Sequence, residues 1–556
     1  MAILNHADIT IANGTTSPAA ATAAAVAPAI PSLAQPPPLD ADEFRRQGRL
    51  VVDFIADYYT RIDDYPVRPA VAPGFLARQL PEAAPGRPEP ADDALAAALR
   101  DVRDLILPGV THWQSPRHFA HFAATASNVG ALGEALAAGL NINPFTWAAS
   151  PAATELEVVV TDWLGKALHL PENLLFSGGG GGTLLGTSCE AMLCTIVAAR
   201  DRKLAVIGEE RIGDLVVYCS DQTHFSFQKA ARIAGIRRGN YREIPTPRRC
   251  LPPVPLFLCA TVGTTPTAAV DPIRELCTVI AGHDVWVHVD AAYAGAACVC
   301  PEFRHAIAGA EAVDSFSTNP HKWLMANMDC CALWVRRPEA LTAALGTDHD
   351  VILKDPSAQH RDGHGGVVVD YKDWQVSLSR RFRALKLWLV LRCHGVEGLR
   401  GFVRGHVRMA AAFEAMVRAD ARFEVPVPRQ FSLVCFRLRS AAVVTGEKRA
   451  RDEAEPNELN RRLLEAVNAT GRAYMSSAVV GGIYILRCAI GNSLTEERHV
   501  WEAWGVVQEQ ATVVLASATC TEERTVRSAR YAADAPAAVL PVHMMFRSRW
   551  IDKRKL

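Results

Sequence analysis

A lysine set between two large side chains has the clearest chemical potential in this sequence. Lys322 lies in the segment Ser317-Thr318-Asn319-Pro320-His321-Lys322-Trp323, directly after a short β-forming run. Enclosure lowers the pKa of an ammonium group, and the resulting neutral amine can attack a carbonyl carbon to form an imine. Most lysines are solvated surface residues, so Lys322 by itself carries no assignment.

A carboxylate and a histidine follow two other apolar runs. Asp290 ends the run Trp286-Val287-His288-Val289-Asp290, and His224 follows the run Leu215–Cys219. A lone aspartate at the end of a strand is usually a turn or cap residue. A lone histidine in a loop is usually a hydrogen-bonded loop residue. These ordinary interpretations would hold if each residue stood alone.

A glycine-rich segment is the fourth feature with chemical potential. Ser177–Glu190 contains five consecutive glycines followed by three hydroxyl side chains and leads into a helix-like stretch. Glycines and hydroxyls at the start of a helix offer N–H groups to a phosphate. The segment is neither a Walker loop nor a dinucleotide fingerprint, because the spacing of both motifs is missing. Taken alone, it could be a flexible loop.

The four features together fit one ligand, pyridoxal 5′-phosphate (PLP). This cofactor requires an anion cradle for its phosphate, a lysine for its aldehyde and a carboxylate facing its pyridine nitrogen. A flat partner above the ring completes the set, and His224 is placed to be that partner. The sequence therefore predicts a PLP site built from Lys322, Asp290, His224 and the glycine-rich segment.

The elements that position these residues alternate between helices and short strands from about Thr154 onward. This alternation predicts a largely parallel sheet covered on both faces, in which ligands bind at the carboxyl ends of the strands. The fold class is α/β. The predicted strands are Leu215–Cys219, Leu256–Thr261, Val285–Asp290, Ser315–Ser317, Cys331–Val335, Ser432–Leu438 and Gly482–Ala489.

Changes in composition and periodicity divide the chain into five parts. An amphipathic pattern over Leu39–Ile62 and a second helical pattern over Asp92–Ile106 indicate a helical arm that needs a packing partner, for which another subunit is one option. We expect a disordered Ala/Pro-rich tail over 1–38, the helical N-terminal arm over 39–150, a cofactor-binding large domain over 151–395, a smaller α+β C-terminal domain over 396–516 and a disordered tail over 517–556.

Composition excludes several classes of function. The 59 basic and 59 acidic residues cancel, which gives no electrostatic case for binding nucleic acid or an anionic membrane. Fourteen cysteines in 556 residues do not suggest a disulfide scaffold, and no cysteine pair has the spacing of a metal site. We find no run of 18 apolar residues and no signal-peptide pattern, so we expect a cytoplasmic protein.

Five stretches of this sequence have a recognisable family pattern: Phe54–Tyr59, Thr146–Glu157, His288–Gly295, Asn319–Trp323 and Tyr371–Gln375. They are similar to the plant aromatic L-amino-acid decarboxylases, relatives of animal DOPA decarboxylase. The resemblance runs from about Leu39 to Leu515. It implies the fold type I architecture of PLP enzymes and a homodimer with active sites at the interface.

The resemblance also implies roles for individual residues. Lys322 would be the Schiff-base lysine, with His224 and His321 as further catalytic residues. Asp290 would pair with the pyridine nitrogen. The other implied cofactor contacts are Ser188, Cys189 and Asn319 at the phosphate, with Ala292 and Thr261 lining the site. The implied substrate contacts are Trp113, Phe122, Phe145 and Ser379.

The sequence departs from this family in a loop. The resemblance implies a tyrosine in a mobile loop that protonates the substrate carbon after CO2 leaves, but residues 346–370 contain no tyrosine. Val351 aligns with that position, and a shift of one residue would place Ile352 there. Relatives with phenylalanine there consume O2 and form an aldehyde, ammonia and peroxide. Histidines of the loop could donate the proton instead, although each is more simply a solvated residue.

Three functions follow as hypotheses. Ser379 stands where tyrosine/DOPA-type members have serine and tryptophan-type members have glycine, which favours a tyrosine/DOPA decarboxylase. The pocket also differs from the family, for example at Asn143, where an apolar residue is usual. The loop motivates the second hypothesis, an aromatic acetaldehyde synthase. The third is a catalytically silent homodimer of the same fold.

Overall fold

The computed structural model describes residues 39–87, 94–244, 254–347, 368–439 and 454–533, with side chains described as far as residue 517. The tail predicted over 1–38, the loop position Val351 and residues 534–556 lie outside the described residues.

From the N-terminus, the described elements comprise a helical arm, a large α/β unit and a smaller α+β unit. The helices are α1 Ala41–Thr60, α2 Ala94–Asp101, α3 Asn128–Leu140, α4 Pro151–Leu168, α5 Ser188–Ile207, α6 Ser226–Ile233, α7 Ile273–Ile280, α8 Pro320–Trp323, α9 Pro338–Leu345, α10 Arg383–Ala419, α11 Ala454–Ala469 and α12 Glu497–Ala533. The strands are β1 Gly181–Leu185, β2 Val216–Ser220, β3 Tyr241–Ile244, β4 Pro255–Thr261, β5 Trp286–Asp290, β6 Ser315–Thr318, β7 Cys331–Val335, β8 Phe423–Glu424, β9 Leu433–Leu438, β10 Ser476–Val480 and β11 Ile483–Ala489.

The seven strands β1 to β7 form one sheet in the order β1-β7-β6-β5-β4-β2-β3. The four pairs from β6 across to β3 are parallel, whereas β7 runs antiparallel to both β6 and β1. The predicted α/β class with a mostly parallel sheet is therefore confirmed. The central strands are buried on both faces, which explains why their sequences read as continuous apolar runs.

The register of the central strands lines up the residues of the predicted site. Thr261 at the end of β4 is opposite Asp290 at the end of β5, and Asp290 is opposite Ser317 in β6. These residues stand side by side at the carboxyl edge of the sheet, where ligands of parallel sheets bind. The short helix α8, which carries Lys322, begins directly after β6.

The glycine-rich segment contributes a strand that the sequence did not predict. Gly181 and Gly182 belong to β1, the edge strand that pairs antiparallel with β7. The glycines are explained by close packing. A Cβ on Gly182 would lie 2.6 Å from Cβ of Thr161 in α4, and one on Gly178 would lie 2.1 Å from the carbonyl oxygen of Glu172.

The smaller unit is a four-stranded antiparallel sheet, ordered β10-β11-β9-β8, that packs with α10, α11 and α12. The backbone of α10 breaks at Gly395, where φ is 61°, next to the boundary predicted between the two domains. Helix α12 continues to Ala533, past the start of the tail predicted from residue 517. Residues 518–533 contain many alanines, glutamates and arginines, which favour helix without an apolar stripe.

The N-terminal arm is hydrogen-bonded to the smaller unit. The N–H of Phe119 donates to the carbonyl oxygen of Tyr474 at 2.8 Å, and the N–H of Ala489 donates to that of Phe119 at 2.9 Å. Further along, the N–H of His121 donates to Oγ of Ser476, which is 355 residues away in the chain. Within the arm, Asp40 caps α1 by accepting from the N–H groups of the first turn.

No helix in the part of the chain that the structure describes combines the length and apolar character needed to span a bilayer.

Candidate active site

A cavity of about 280 Å³ opens at the carboxyl edge of the large sheet. Its walls come from the ends of β4, β5 and β6, the N-terminus of α5, the loop after β2, and the arm. The lining residues are Phe122, Thr187, Ser188, Cys189, His224, Ser226, Thr261, Gly263, Thr265, Asp290, Ala292, Tyr293, Asn319, His321 and Lys322. Ten of these fifteen residues were predicted from the sequence or the resemblance.

Lys322 projects from α8 into this cavity. Its backbone N–H donates to the carbonyl oxygen of Asn319 at 2.8 Å, which fixes the start of the helix. Burial lowers the pKa of the Lys322 ammonium, although attraction to Asp290 and, less strongly, to Cys331 opposes the shift. The lowered pKa increases the fraction of neutral, nucleophilic amine, as the sequence predicted.

Asp290 is buried at the end of β5, with 4% of its surface exposed. Burial raises the pKa of this carboxyl group, while the charge of Lys322, the N–H of Ala292 and the charge of His224 act in the opposite direction. The Ala292 N–H donates to Oδ1 at 3.1 Å. A cation or a strong donor facing the carboxylate would keep it ionised in this enclosed position.

His224 follows β2 and is held by Ser226. The backbone N–H of Ser226 donates to Nδ1 of His224 at 3.3 Å, and Oγ of Ser226 lies 2.7 Å from the same nitrogen. Since a backbone N–H can only donate, Nδ1 accepts, and the neutral ring carries its proton on Nε2. Burial and the charge of Lys322 lower the pKa of His224, against the attraction of Asp290.

His321 is buried beside the lysine. Its Nδ1 lies 2.7 Å from the carbonyl oxygen of Cys330 and 3.0 Å from the Cys330 nitrogen. Burial, followed by repulsion from Lys322, lowers the pKa of His321 to about 4. This imidazole is therefore neutral at physiological pH.

The N-terminus of α5 forms the polar end of the cavity. Thr187 caps the helix by accepting from the N–H of Glu190, and Ser188 and Cys189 are the first two helical residues. Oγ of Ser188 donates to Oδ1 of Asn319 at 2.8 Å, which ties the helix to the segment before Lys322. The unpaired N–H groups of a long helix attract an anion to this end of the cavity.

Two smaller residues complete the lining. Oγ1 of Thr261 is buried and has no hydrogen-bond partner among the described residues, while the Thr261 N–H donates to Oδ2 of Asp271 at 2.8 Å. A buried hydroxyl without a partner is costly, so its position favours a ligand that supplies a polar atom. Ala292 has only 8% of its surface exposed and leaves room for a flat group next to Asp290.

The glycines before residue 183 do not line the cavity, so the predicted contribution of the glycine run to the anion cradle is wrong. Only the end of the segment, from Thr187 onward, reaches it. The physical reason is that Gly181 and Gly182 are already paired in β1 with β7. Hydroxyl groups next to a helix start, rather than glycines, are the signal that identifies the polar end.

The predicted substrate residues are not all in the cavity. Phe122 lines it, stacked on Tyr293 with ring centroids 3.6 Å apart. Trp113 is 40% exposed and stacks instead on His118, at 4.9 Å. Phe145 and Ser379 are likewise not among the cavity residues of this single chain.

Sequence reasoning missed Tyr293 as a wall of the cavity. Its ring lies between Phe122 and Trp323, at a centroid distance of 4.9 Å from the latter. Its hydroxyl lies 2.8 Å from Oγ of Ser432 in the smaller unit. The available signal was its place three residues after Asp290, on the same strand end.

Comparison with known proteins gives a consistent result. The family model "Pyridoxal-dependent decarboxylase conserved domain" matches residues 73–439. A tyrosine decarboxylase of Oryza sativa subsp. japonica is 70% identical over 504 residues, covering 86% of this chain and 92% of the relative. A phenylacetaldehyde synthase of a Rosa hybrid cultivar is 54% identical, covering 86% and 96%. The solved structure of Oryza sativa TDC with PLP and tryptamine superposes with a TM-score of 0.80 at 44% identity, covering 86% of this chain and 99% of that one.

The cavity residues fit PLP. The anion-binding start of α5 suits the phosphate, Asp290 suits a protonated pyridine nitrogen, and Lys322 suits the aldehyde. The unpartnered hydroxyl of Thr261 is the structural sign that a polar ligand belongs here. Among the described residues, no group of three or more metal-ligating side chains is assembled.

The family model covers more than half of the chain, and the relatives match it over nearly their whole length. The resemblance found in the sequence is thereby confirmed. The chain belongs to the pyridoxal-dependent decarboxylase family, and PLP is its cofactor.

Proposed function

We propose that this pyridoxal-dependent decarboxylase acts on aromatic L-amino acids, with tyrosine and DOPA preferred, and releases the amine and CO2. The observation that carries the proposal is the meeting of Lys322, Asp290 and His224 in one enclosed cavity. The tyrosine decarboxylase from rice, at 70% identity, supports the choice of substrate.

Each residue has a role in holding the cofactor. Ser188, Cys189 and Asn319 would hold the phosphate at the start of α5, and Asp290 would face the ring nitrogen. Thr261 and Ala292 would line the ring, and His224 would cover one face. The bound cofactor supplies a ring that accepts the electron pair released when the bond from Cα to the carboxylate breaks.

The protein side chains prepare this step by their protonation states. Lys322 offers an amine whose pKa is lowered by burial, and Asp290 offers a carboxylate that is stabilised by nearby positive charge. When CO2 leaves, one proton must be added to Cα to give the amine. The neutral ring of His321, with a pKa of about 4, is a poor cationic acid at physiological pH. We therefore propose that a group other than His321 delivers the proton to Cα.

We further propose that the working unit is a homodimer and that a second chain completes the pocket. Phe145 and Ser379 lie outside the cavity of the single chain. Helix α3 in addition exposes three leucines, Leu132 at 57%, Leu136 at 49% and Leu140 at 53%. Exposed apolar side chains on one helix are typical of a subunit interface. We also propose that the protein is located in the cytoplasm.

The experiment that tests the substrate assignment is product analysis with purified protein and L-tyrosine, L-DOPA, L-phenylalanine and L-tryptophan. We expect CO2 and the amine from tyrosine and DOPA at the highest kcat/KM. Sedimentation of the same preparation gives the oligomeric state. Release of CO2 from none of the four amino acids would overturn the proposal and favour the catalytically silent alternative.

A second candidate function, aromatic acetaldehyde synthase, is favoured by the absence of tyrosine from residues 346–370. In this reaction the amino acid, O2 and water give the aldehyde, CO2, ammonia and hydrogen peroxide. The amino acid is oxidised and O2 is reduced to peroxide. A relative named phenylacetaldehyde synthase is 54% identical to this chain, which supports this candidate function. Peroxide equal to the CO2 released would establish it, and amine without peroxide would exclude it.

A further inference from the structure

The side-chain amide of Asn143 bridges two neighbouring residues of another segment. The backbone N–H of Arg380 donates to Oδ1 of Asn143 at 2.9 Å. Nδ2 of Asn143 donates to Oγ of Ser379 at 3.3 Å. Since a backbone N–H can only donate, the oxygen of the amide must face Arg380, and its NH2 group must face Ser379.

This hydrogen bond restricts where the O–H bond of Ser379 can point. A serine oxygen accepts hydrogen bonds at its lone pairs and donates one proton. Because Asn143 donates to this oxygen, the Ser379 proton is directed away from Asn143. The hydroxyl is thus presented as a donor to whatever else approaches it. Both residues are exposed in the single chain.

The segment that carries Ser379 is firmly anchored. The guanidinium of Arg380 is buried and lies 2.6 Å from Oε1 of Glu157 in α4. Its Cζ lies 4.3 Å from the centre of the Tyr371 ring. A buried charged pair with an aromatic contact holds the backbone of Arg380 in one place. The hydrogen bond to Asn143 is therefore made from a fixed N–H group.

We propose that Asn143 is a positioning residue that sets the Ser379 hydroxyl as a hydrogen-bond donor to the phenolic oxygen of the substrate. The inference rests on the proposed function, in which a second chain completes the pocket, and on the substrate contact that the resemblance implies for Ser379. Tyrosine and DOPA have an oxygen that can accept this bond, and phenylalanine has none. Asn143 thus favours phenolic over non-phenolic substrates.

The test compares L-tyrosine with L-phenylalanine in the holoenzyme and in the variants Asn143→Leu, Ser379→Ala and the double variant. Leucine keeps the shape of asparagine but removes both hydrogen bonds. We expect Asn143→Leu to lower the tyrosine-to-phenylalanine ratio of kcat/KM by about threefold to tenfold, the effect of one hydrogen bond. The change should lie in the KM for tyrosine, and tyramine should bind correspondingly more weakly in calorimetry.

A matched control is available in the smaller unit. Asn457 makes the same pair of bonds, accepting from the N–H of Tyr484 at 2.7 Å and donating to the carbonyl oxygen of Gly482 at 2.8 Å. Asn457→Leu therefore loses an equivalent bridge far from Ser379. It should leave the substrate ratio unchanged, so general damage to folding is separated from the specific effect.

The outcomes are distinguishable. If the double variant has the same ratio as Ser379→Ala, Asn143 acts through Ser379 as proposed. An unchanged ratio in Asn143→Leu, or an effect that adds to that of Ser379→Ala, overturns the inference while the parent enzyme still makes tyramine. A parent enzyme that releases no CO2 from tyrosine overturns the proposed function, and the inference with it.

Discussion

At the scale of single residues, the site depends on groups that shift each other's proton affinity. Lys322 lowers the pKa of His224 and His321 and opposes the raised pKa of Asp290. Asp290 in turn opposes the lowered pKa of Lys322. Removing one member therefore changes the charge states of the others.

The first prediction concerns Lys322→Ala. We expect loss of the covalently held cofactor, seen as loss of its absorbance band near roughly 400 nm, and loss of CO2 release. Lys229→Ala is the matched control, because Lys229 is exposed on α6 and lies outside the cavity. The assignment of Lys322 fails if the alanine variant retains both the absorbance band and the activity.

At the scale of elements, the glycine-rich segment shows how a loop-like sequence becomes an edge strand. Its five glycines suggested a cradle, yet Gly181 and Gly182 pair with β7 and leave space for α4. The sequence predicted a helix after this segment, and the structure starts α5 at Ser188, where the Thr187 side chain caps it. It could not show the packing distance between β1 and α4, which depends on residues far apart in the chain.

The second prediction tests this interpretation with Gly182→Ala. A Cβ there would lie 2.6 Å from Cβ of Thr161, so we expect destabilisation by about 1–3 kcal/mol in urea unfolding. Cofactor binding by the folded fraction should be unchanged, since Gly182 is outside the cavity. Gly405→Ala in α10 meets no atom within 4 Å and should be neutral or stabilising by up to about 1 kcal/mol. Equal stability of the two variants would contradict the packing argument.

The third prediction concerns the loop before Tyr371. Val351 lies outside the described residues, and the resemblance found in the sequence predicts that it stands in place of a proton-donating tyrosine. We expect Val351→Tyr to raise the ratio of amine to aldehyde, because a phenol can supply the proton that valine cannot. Val351→Phe is the control, as it adds the ring without the hydroxyl. An unchanged ratio in Val351→Tyr would show that another group supplies the proton.

At the scale of the whole molecule, several buried histidines link stability to pH. Burial lowers the pKa of His118, His321 and His406 to about 4 and that of His288 to about 3, from an ordinary value of 6.5. The unfolded chain therefore binds protons between pH 6.5 and 4 that the folded chain does not bind. Stability contributed by these groups is complete above pH 6.5 and declines as the pH falls.

The fourth prediction is a fall in the free energy of unfolding between about pH 7 and about pH 5, measured by urea titration. Burial raises the pKa of Asp271 to about 6 and also raises that of Asp290, so these two carboxyl groups oppose the trend set by the four histidines. His118→Phe should reduce the fall, because within the described part of the chain neither ring nitrogen of His118 has a hydrogen-bond partner, and the ring stacks on Trp113. A fall of the same size in His118→Phe would exclude His118 as a contributor.

The sequence predicted the sheet, the main strands and the residues around Lys322, because apolar runs and strand ends are local signals. It did not predict β1, β3, β8 or β10, and only the strand register could bring Thr261 next to Asp290. The sequence also did not predict that Phe145 and Ser379 lie outside the cavity of the single chain. Neither periodicity nor motif spacing reports which surface a second subunit covers.

The hydrogen bonds between the arm and the smaller unit constrain the order in which the protein can fold during synthesis. Phe119 is synthesised long before Tyr474 and Ala489, to which its backbone is hydrogen bonded. Until these late residues leave the ribosome, the arm has unsatisfied backbone groups and no neighbouring strand. Contacts so distant in the chain close slowly. We therefore expect the cavity, which includes Phe122, to be completed only after the chain has been synthesised past Ala489.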